Sequence, residues 1–225
     1  MTRNTTIFVT LATLTAMSSA ASGGTLAFSS FDTGDEGWTA QAGPGAPQYT
    51  TNWNPTGGTP TGHIQYQDAT SNDAEWFAAS AGFLGNGDFS SAIGNGGVSF
   101  DWSADYAPSA VNVQIAFVDG NQILWTETLA SVGTGWNAYD FAFDSTAAWM
   151  MTDNNTNTTN AATTGDMYSV LSSVDGLYIT GDIFYGMDGT CSLDSPRIYS
   201  VPAPGALALL GVASIVGTRR RRQTA

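Results

Sequence analysis

The sequence predicts an all-β protein: a single β-sandwich, jelly-roll-like, with one short helix, flanked by an N-terminal signal peptide and a C-terminal apolar helix. Three observations predict it. Short runs alternate apolar and polar residues, as in Val111-Asn112-Val113-Gln114-Ile115-Ala116-Phe117, where Val111, Val113, Ile115 and Phe117 share one face. A period of two marks strands with one buried side. Segments rich in Gly, Asn, Thr, Ser and Asp separate these runs, which is the chemistry of turns. Helical spacing in the body is confined to residues 166–174, through Tyr168, Leu171 and Val174. Many short strands joined by turn-rich loops build a sandwich or jelly roll.

Taken in order, residues 1–21 have the layout of an export signal. Arg3 supplies positive charge, residues 7–17 an apolar stretch, and Ser18, Ser19, Ala20, Ala21 and Ser22 a run suited to cleavage. Strands are predicted over 25–28, 63–66, 75–79, 98–102, 111–117, 123–129 and 193–199. Two more follow Tyr139, Phe141, Phe143 and Leu177, Ile179, Gly181, Ile183. Asp119-Gly120-Asn121-Gln122 reads as a hairpin turn, and residues 151–165 as a long polar loop. No repeat or linker divides residues 23–200, which read as one domain. Beyond it, Val201-Pro202-Ala203-Pro204-Gly205 interrupts regular structure, because proline breaks helix and strand alike. Residues 206–217 are uncharged and apolar, and Arg219, Arg220, Arg221 and Arg222 follow. As a helix the apolar run spans about 18 Å against a hydrocarbon core of ~30 Å. The arginines are the positive-inside signal of a segment whose end stays in the cytoplasm.

Charge narrows the partners. The six basic residues are Arg3, Arg197 and the four terminal arginines, and there is no lysine. All 19 acidic residues lie between Asp32 and Asp194, so 19 acids against one arginine leave the body at −18. Such a surface repels phosphate backbones, and nucleic acid is not expected as a partner. Cys191 is the one cysteine, so no internal disulfide forms. It reads as a buried structural thiol in a strand.

The tail order of Val201-Pro202-Ala203-Pro204, apolar stretch and arginine cluster resembles the PEP-CTERM sorting tail of exported bacterial proteins. Residue 203 is alanine where that family usually has glutamate. The resemblance implies export, recognition by an exosortase-like membrane protease, membrane engagement through residues 201–225, and a surface or extracellular destination on a Gram-negative-type bacterium that makes exopolysaccharide. In the body, Phe31-Asp32-Thr33-Gly34-Asp35-Glu36-Gly37-Trp38, residues 62–68, Trp76-Phe77-Ala78-Ala79, residues 83–86, residues 96–101, residues 174–182 and Leu193-Asp194-Ser195 follow the order of a laminin B-type domain (laminin domain IV). Thr180 and Ser195-Pro196 depart from that family's arginine and Asn-Val pair. This resemblance implies an extracellular β-sandwich without catalysis that associates with matrix or glycan. A carbohydrate-active sandwich enzyme and a purely structural spacer are the alternatives.

Side-chain chemistry gives enzymes little support. His63 is the only histidine, which excludes multi-histidine metal sites. No Gly-x-Ser-x-Gly elbow accompanies it. Asp73-Ala74-Glu75 before Trp76 is the nearest approach to the carboxyl pair of a glycosidase. Calcium suits loops rich in Asp, Gly and Asn. Asp32, Glu36 and Asp194 are its expected ligands, because first and last strands of a jelly roll lie close together. The alternative for these acids is a solvated surface. Among the seven tryptophans, Trp53 and Trp149 sit in loop-like contexts and are the expected exposed, sugar-stacking pair, against the alternative that they fold back onto the core.

Overall fold

The computed structural model describes residues 24–59, 61–68, 76–105, 111–130, 135–181 and 189–201. The expected export signal, Asp73 and Glu75, and everything after Val201 (Pro202, Pro204 and the four terminal arginines included) lie outside these residues. No helix among the described residues is long and apolar enough to cross a membrane.

Alternating residues form strands here because one face of each can be buried while the other stays wet. The strands are β1 (Gly24–Phe28), β2 (Thr39–Gln41), β3 (Gln48–Thr50), β4 (Asn52–Asn54), β5 (His63–Asp68), β6 (Trp76–Ala78) and β7 (Gly96–Ala104). They continue with β8 (Val111–Asp119), β9 (Gln122–Ala130), β10 (Asn137–Ala142), β11 (Met150–Asp153), β12 (Thr158–Ala161), β13 (Gly176–Thr180) and β14 (Gly189–Ser200). One sheet runs β10-β7-β14-β5-β4 with β1 also on β14, and the other runs β12-β11-β9-β8-β13-β6-β2-β3. All of these pairings are antiparallel. The result is the expected β-sandwich, with the first strand paired on the last.

Parity along the strands sets the two inner faces. β7 sends Val98, Phe100, Trp102 and Ala104 inward, and β8 sends Val113, Ile115 and Phe117 to meet them. Trp102 ties the layers together, since its indole Nε1 donates to the Thr180 carbonyl of the opposite sheet at 2.8 Å. At one end Phe117, Phe143 and Trp149 pack with ring centroids 5.5–6.0 Å apart. At the other, Trp38 meets Phe31 and Phe83 edge-on at 5.9 and 5.1 Å. Each fully buried ring contributes about 1.5–3 kcal/mol, and Cys191 is buried among them in β14. Helix α2 (Thr164–Leu171) buries Met167, Val170 and Leu171 against β8 and β9. Thr163 is its N-cap, and its side chain and that of Asp166 cap each other's backbone N–H. The β8–β9 turn pairs Asp119 with Gln122 and puts Gly120 at φ +56°, which a two-residue hairpin tolerates best in glycine.

Three expectations need correction. Residues 151–165 hold no long loop: β11 and β12 form a hairpin from Met150↔Ala161 to Asp153↔Thr158, and Thr164 already begins α2. All of β12 is exposed, so its Thr and Asn residues need no apolar alternation. The short strands β2, β3 and β4 lie among Pro- and Gly-containing turns that hide them. A second helix, α1 (Ala81–Leu84), and a 3-10 turn at Ser90–Ala92 join the single helix expected.

Candidate functional site

The outward face of the eight-stranded sheet departs from the rule that such a face is polar. Inward Leu124, Phe117, Ile179 and Phe77 turn their neighbours outward: Ile123 and Trp125 on β9, Ala116 and Val118 on β8, Tyr178 on β13 and Trp76 on β6. Together with Gln114, Thr152 and Pro44 these residues line a groove of about 240 Å³. Register places them. Trp125 pairs with Ala116, Ala116 with Tyr178, and Tyr178 with Ala78. One step along, Thr180 pairs with Trp76 and Trp76 with Gln41. Adjacent strands lie about 4.8 Å apart, so Trp125 and Tyr178 flank the small Ala116 at roughly 10 Å across the backbone.

Both rings are held. The Trp125 indole donates to Thr152 Oγ1 at 3.0 Å, and Thr152 shares a 2.9 Å hydrogen bond with Thr159 across the hairpin. The Tyr178 ring lies on Gly176: a Cβ there would meet its Cε2 at 2.8 Å and its Oη at 3.1 Å. Burial pushes the Tyr178 phenol above the ordinary tyrosine range, a hydrogen bond with Gln41 opposes the shift, and the charge of Asp175 adds to it. Beside the groove the Gln114 amide donates to Glu127 Oε2 at 2.5 Å. No carboxylate is among the lining residues described.

The six-stranded sheet carries a buried carboxylate on its outward side, with Leu26, Phe28 and Trp53 exposed on its outer strands. Asp194 and Asp101 are paired across β14 and β7. Asp194, with 0% of its surface exposed, accepts from the backbone N–H of Thr59 at 2.5 Å and of Ser195 at 2.6 Å. The Thr59 hydroxyl donates to Asp101 at 2.7 Å. Burial raises the Asp194 carboxyl above its ordinary range, its hydrogen bonds with Thr59 and Ser195 oppose this, and the Asp101 charge adds to it. His63, 6% exposed, meets Trp136 edge-on at 5.3 Å. Burial lowers its pKa, partly offset by a hydrogen bond to the Thr56 backbone. A cleft of about 450 Å³ on this sheet includes Phe28, Asp101, Asp140 and Arg197. Arg197 lies over the Tyr199 ring at 5.0 Å, and the Tyr199 hydroxyl donates to Asp140 at 2.7 Å. Burial, with Asp140, pushes that phenol up to about 12.

No family model and no curated protein matches the chain. Among solved structures it is similar to the L4b domain of human laminin alpha-2, at 10% identity and a TM-score of 0.53, covering 78% of this chain and 97% of that domain. It shares the sandwich fold of that domain. A family 11 carbohydrate-binding module from Clostridium thermocellum, in complex with a beta-1,3-1,4-mixed-linked tetrasaccharide, gives 14% identity and a TM-score of 0.48 over 78% of this chain and 95% of the module. A family 30 carbohydrate-binding module of a Clostridium thermocellum cellulosomal cellulase gives 14% and 0.46 over 74% and 92%.

Of the tryptophans expected to be exposed, Trp53 is and Trp149 is not. Trp149 is 2% accessible, its indole donates to the Ala142 carbonyl at 2.7 Å, and its ring packs on Phe117 and Phe143. Trp53 is 37% exposed, but at the sheet edge on β4, with its indole donating to the Phe31 carbonyl at 2.6 Å. Asp32, Glu36 and Asp194 do not converge into a calcium site. Glu36 accepts from the Ser30 and Phe31 N–H groups at 3.2 and 2.8 Å, holding Phe31 at φ +52°. Asp32 accepts from the Thr61 hydroxyl, and Asp194 anchors Thr59. Among the described residues no three His, Cys, Asp or Glu are close enough to share a metal ion. Val201 is exposed at the end of β14, its N–H bonded to the Asn95 carbonyl at 2.7 Å. The groove residues Trp76, Trp125 and Tyr178 were not expected as a site. Their parity against Phe77, Leu124 and Leu177 was the signal that marks them outward.

Proposed function

We propose that this chain is an exported, non-enzymatic protein of the cell surface or extracellular matrix, and that its sandwich binds polysaccharide in the groove of Trp76, Trp125 and Tyr178. One observation carries the reading: three aromatic side chains stand around an apolar floor on a sheet face that should be polar, two of them, Trp125 and Tyr178, held in place. Flat rings bordered by hydrogen-bonding groups suit sugars, whose C–H faces stack on aromatics while their hydroxyls reach polar neighbours. Hydrolysis would need two carboxyls flanking the bound chain, and the described lining supplies neither, which favours binding over catalysis.

Export through residues 1–21 and processing of the PEP-CTERM-like tail by an exosortase-like protease complete the proposal. They rest on the sequence layout given above. Affinity electrophoresis in gels containing soluble polysaccharides tests the binding. Retardation that disappears in Trp125→Ala and Trp76→Ala, with melting temperatures held, is expected. Equal retardation of these variants contradicts it. Mass spectrometry of the protein recovered from its host should find both ends trimmed; an intact cytosolic chain contradicts the export reading.

A further inference from the structure

The groove has a charge environment that selects among polysaccharides. Among the described residues Arg197 is the sole Lys or Arg, and it lies on the other sheet, in the cleft with Phe28 and Asp140. The whole chain contains no lysine, and no arginine between Arg3 and Arg197. No loop in that span can therefore bring a cation to the groove. Carboxylates stand at both of its ends. Glu127 accepts from the Gln114 amide at one. At the hairpin end Asp175, whose charge reaches the Tyr178 phenol, accepts from the Gly120 N–H at 3.0 Å, whereas Asp119 has the parity of inward Phe117 and accepts from the Ser173 hydroxyl at 2.7 Å. The row from Trp125 over Ala116 to Tyr178 has no charged member.

We infer that the groove takes a neutral, extended polysaccharide lying across the strands from Trp125 to Tyr178, and rejects polyanionic ones. This rests on the glycan-binding reading above and names the class of glycan. A uronate or sulfated chain laid along that row would bring its charges towards Glu127 and Asp175, where the screening length is about 8–10 Å at moderate salt, with no Lys or Arg among the described residues of this sheet to pair them. Like charges brought together in an interface lower affinity and slow association. A neutral chain meets rings, methyl groups, the Gln114 amide and the Thr152 and Tyr178 hydroxyls, none of them charged. The roughly 10 Å between Trp125 and Tyr178 suits two sugars of one chain better than a single ring.

The test compares one backbone with and without charge. Mixed-linked β-glucan, galactomannan and xylan are each presented to the full protein in hydroxyethylated form and in carboxymethylated form, which adds bulk and charge together. Binding of at least one hydroxyethylated polymer is expected, lost in Trp125→Ala. Its carboxymethylated partner should bind at least tenfold more weakly at about 0.02 M ionic strength, and that gap should narrow at about 0.5 M. Glu127→Gln should also narrow it. A carboxymethylated polymer bound as tightly as its neutral partner overturns the inference and leaves glycan binding standing. Failure of all the polymers to bind overturns the glycan reading, and the inference with it.

Discussion

Substituting Gly176→Ala perturbs the groove without touching the core. An added Cβ would lie 2.8 Å from Tyr178 Cε2 and 3.3 Å from Cζ, whereas carbon atoms rest about 3.5–4.0 Å apart. The ring must therefore lift by about 1 Å. It is the far end of a partly exposed side chain, so it can move. Gly in a strand interior is itself less favourable than Ala by about 0.5–1 kcal/mol, which offsets the contact, and net stability should stay within about 1 kcal/mol. Binding responds differently. If the Tyr178 ring supplies one stacking contact of about 0.5–1.5 kcal/mol, its displacement lowers affinity roughly two- to tenfold. Calorimetric titration with a bound polysaccharide, beside thermal unfolding, reads both effects. Unchanged affinity would show that Tyr178 is no part of the binding surface, and a lost fold would show that Gly176 serves packing alone.

Trp102→Phe removes the donor to the buried Thr180 carbonyl and leaves a void; denaturant unfolding should show a loss of about 2–4 kcal/mol, and a loss below about 1 kcal/mol contradicts its bridging role. Thr163→Ala removes one half of the α2 capping box and should cost about 1 kcal/mol by the same assay. His63 has a depressed pKa in the fold, so stability is full above its ordinary value of 6.5 and declines as pH falls below it. Asp194 has a raised pKa, so its neutral form favours the fold, and part of the loss should be regained as pH falls through that raised value towards 3.8. His63→Gln should flatten the first limb of a melting-temperature profile against pH; an unaltered profile contradicts the assignment.

Much of the sandwich was legible where one strand face is buried. Val113, Ile115 and Phe117 announce β8 because burial demands apolar residues at a period of two, and Gly120 announces the turn after it. β12 was illegible because both its faces are wet, so Thr and Asn serve it as well as they serve a loop. The carboxylates misled for a related reason. Composition shows that acids are plentiful, but not that Glu36 is committed to backbone N–H groups of its own loop and Asp194 to that of the distant Thr59. Trp149 follows Ala147 and Ala148 in loop-like sequence, yet turns back onto Phe143. The groove was half legible. Parity sets Trp125 and Tyr178 outward, but that the two rings flank Ala116 depends on the β9-β8-β13 order, which joins residues more than 50 positions apart.

The seven tryptophans offer a direct readout, since each indole N–H gives its own resonance in a nitrogen-labelled sample. During titration with a neutral polysaccharide, the signals of Trp76 and Trp125 should move, while those of the buried Trp38, Trp102 and Trp149 stay in place. Movement confined to Trp53 or Trp136, with Trp76 and Trp125 still, would place the sugar on the wrong sheet and contradict the account.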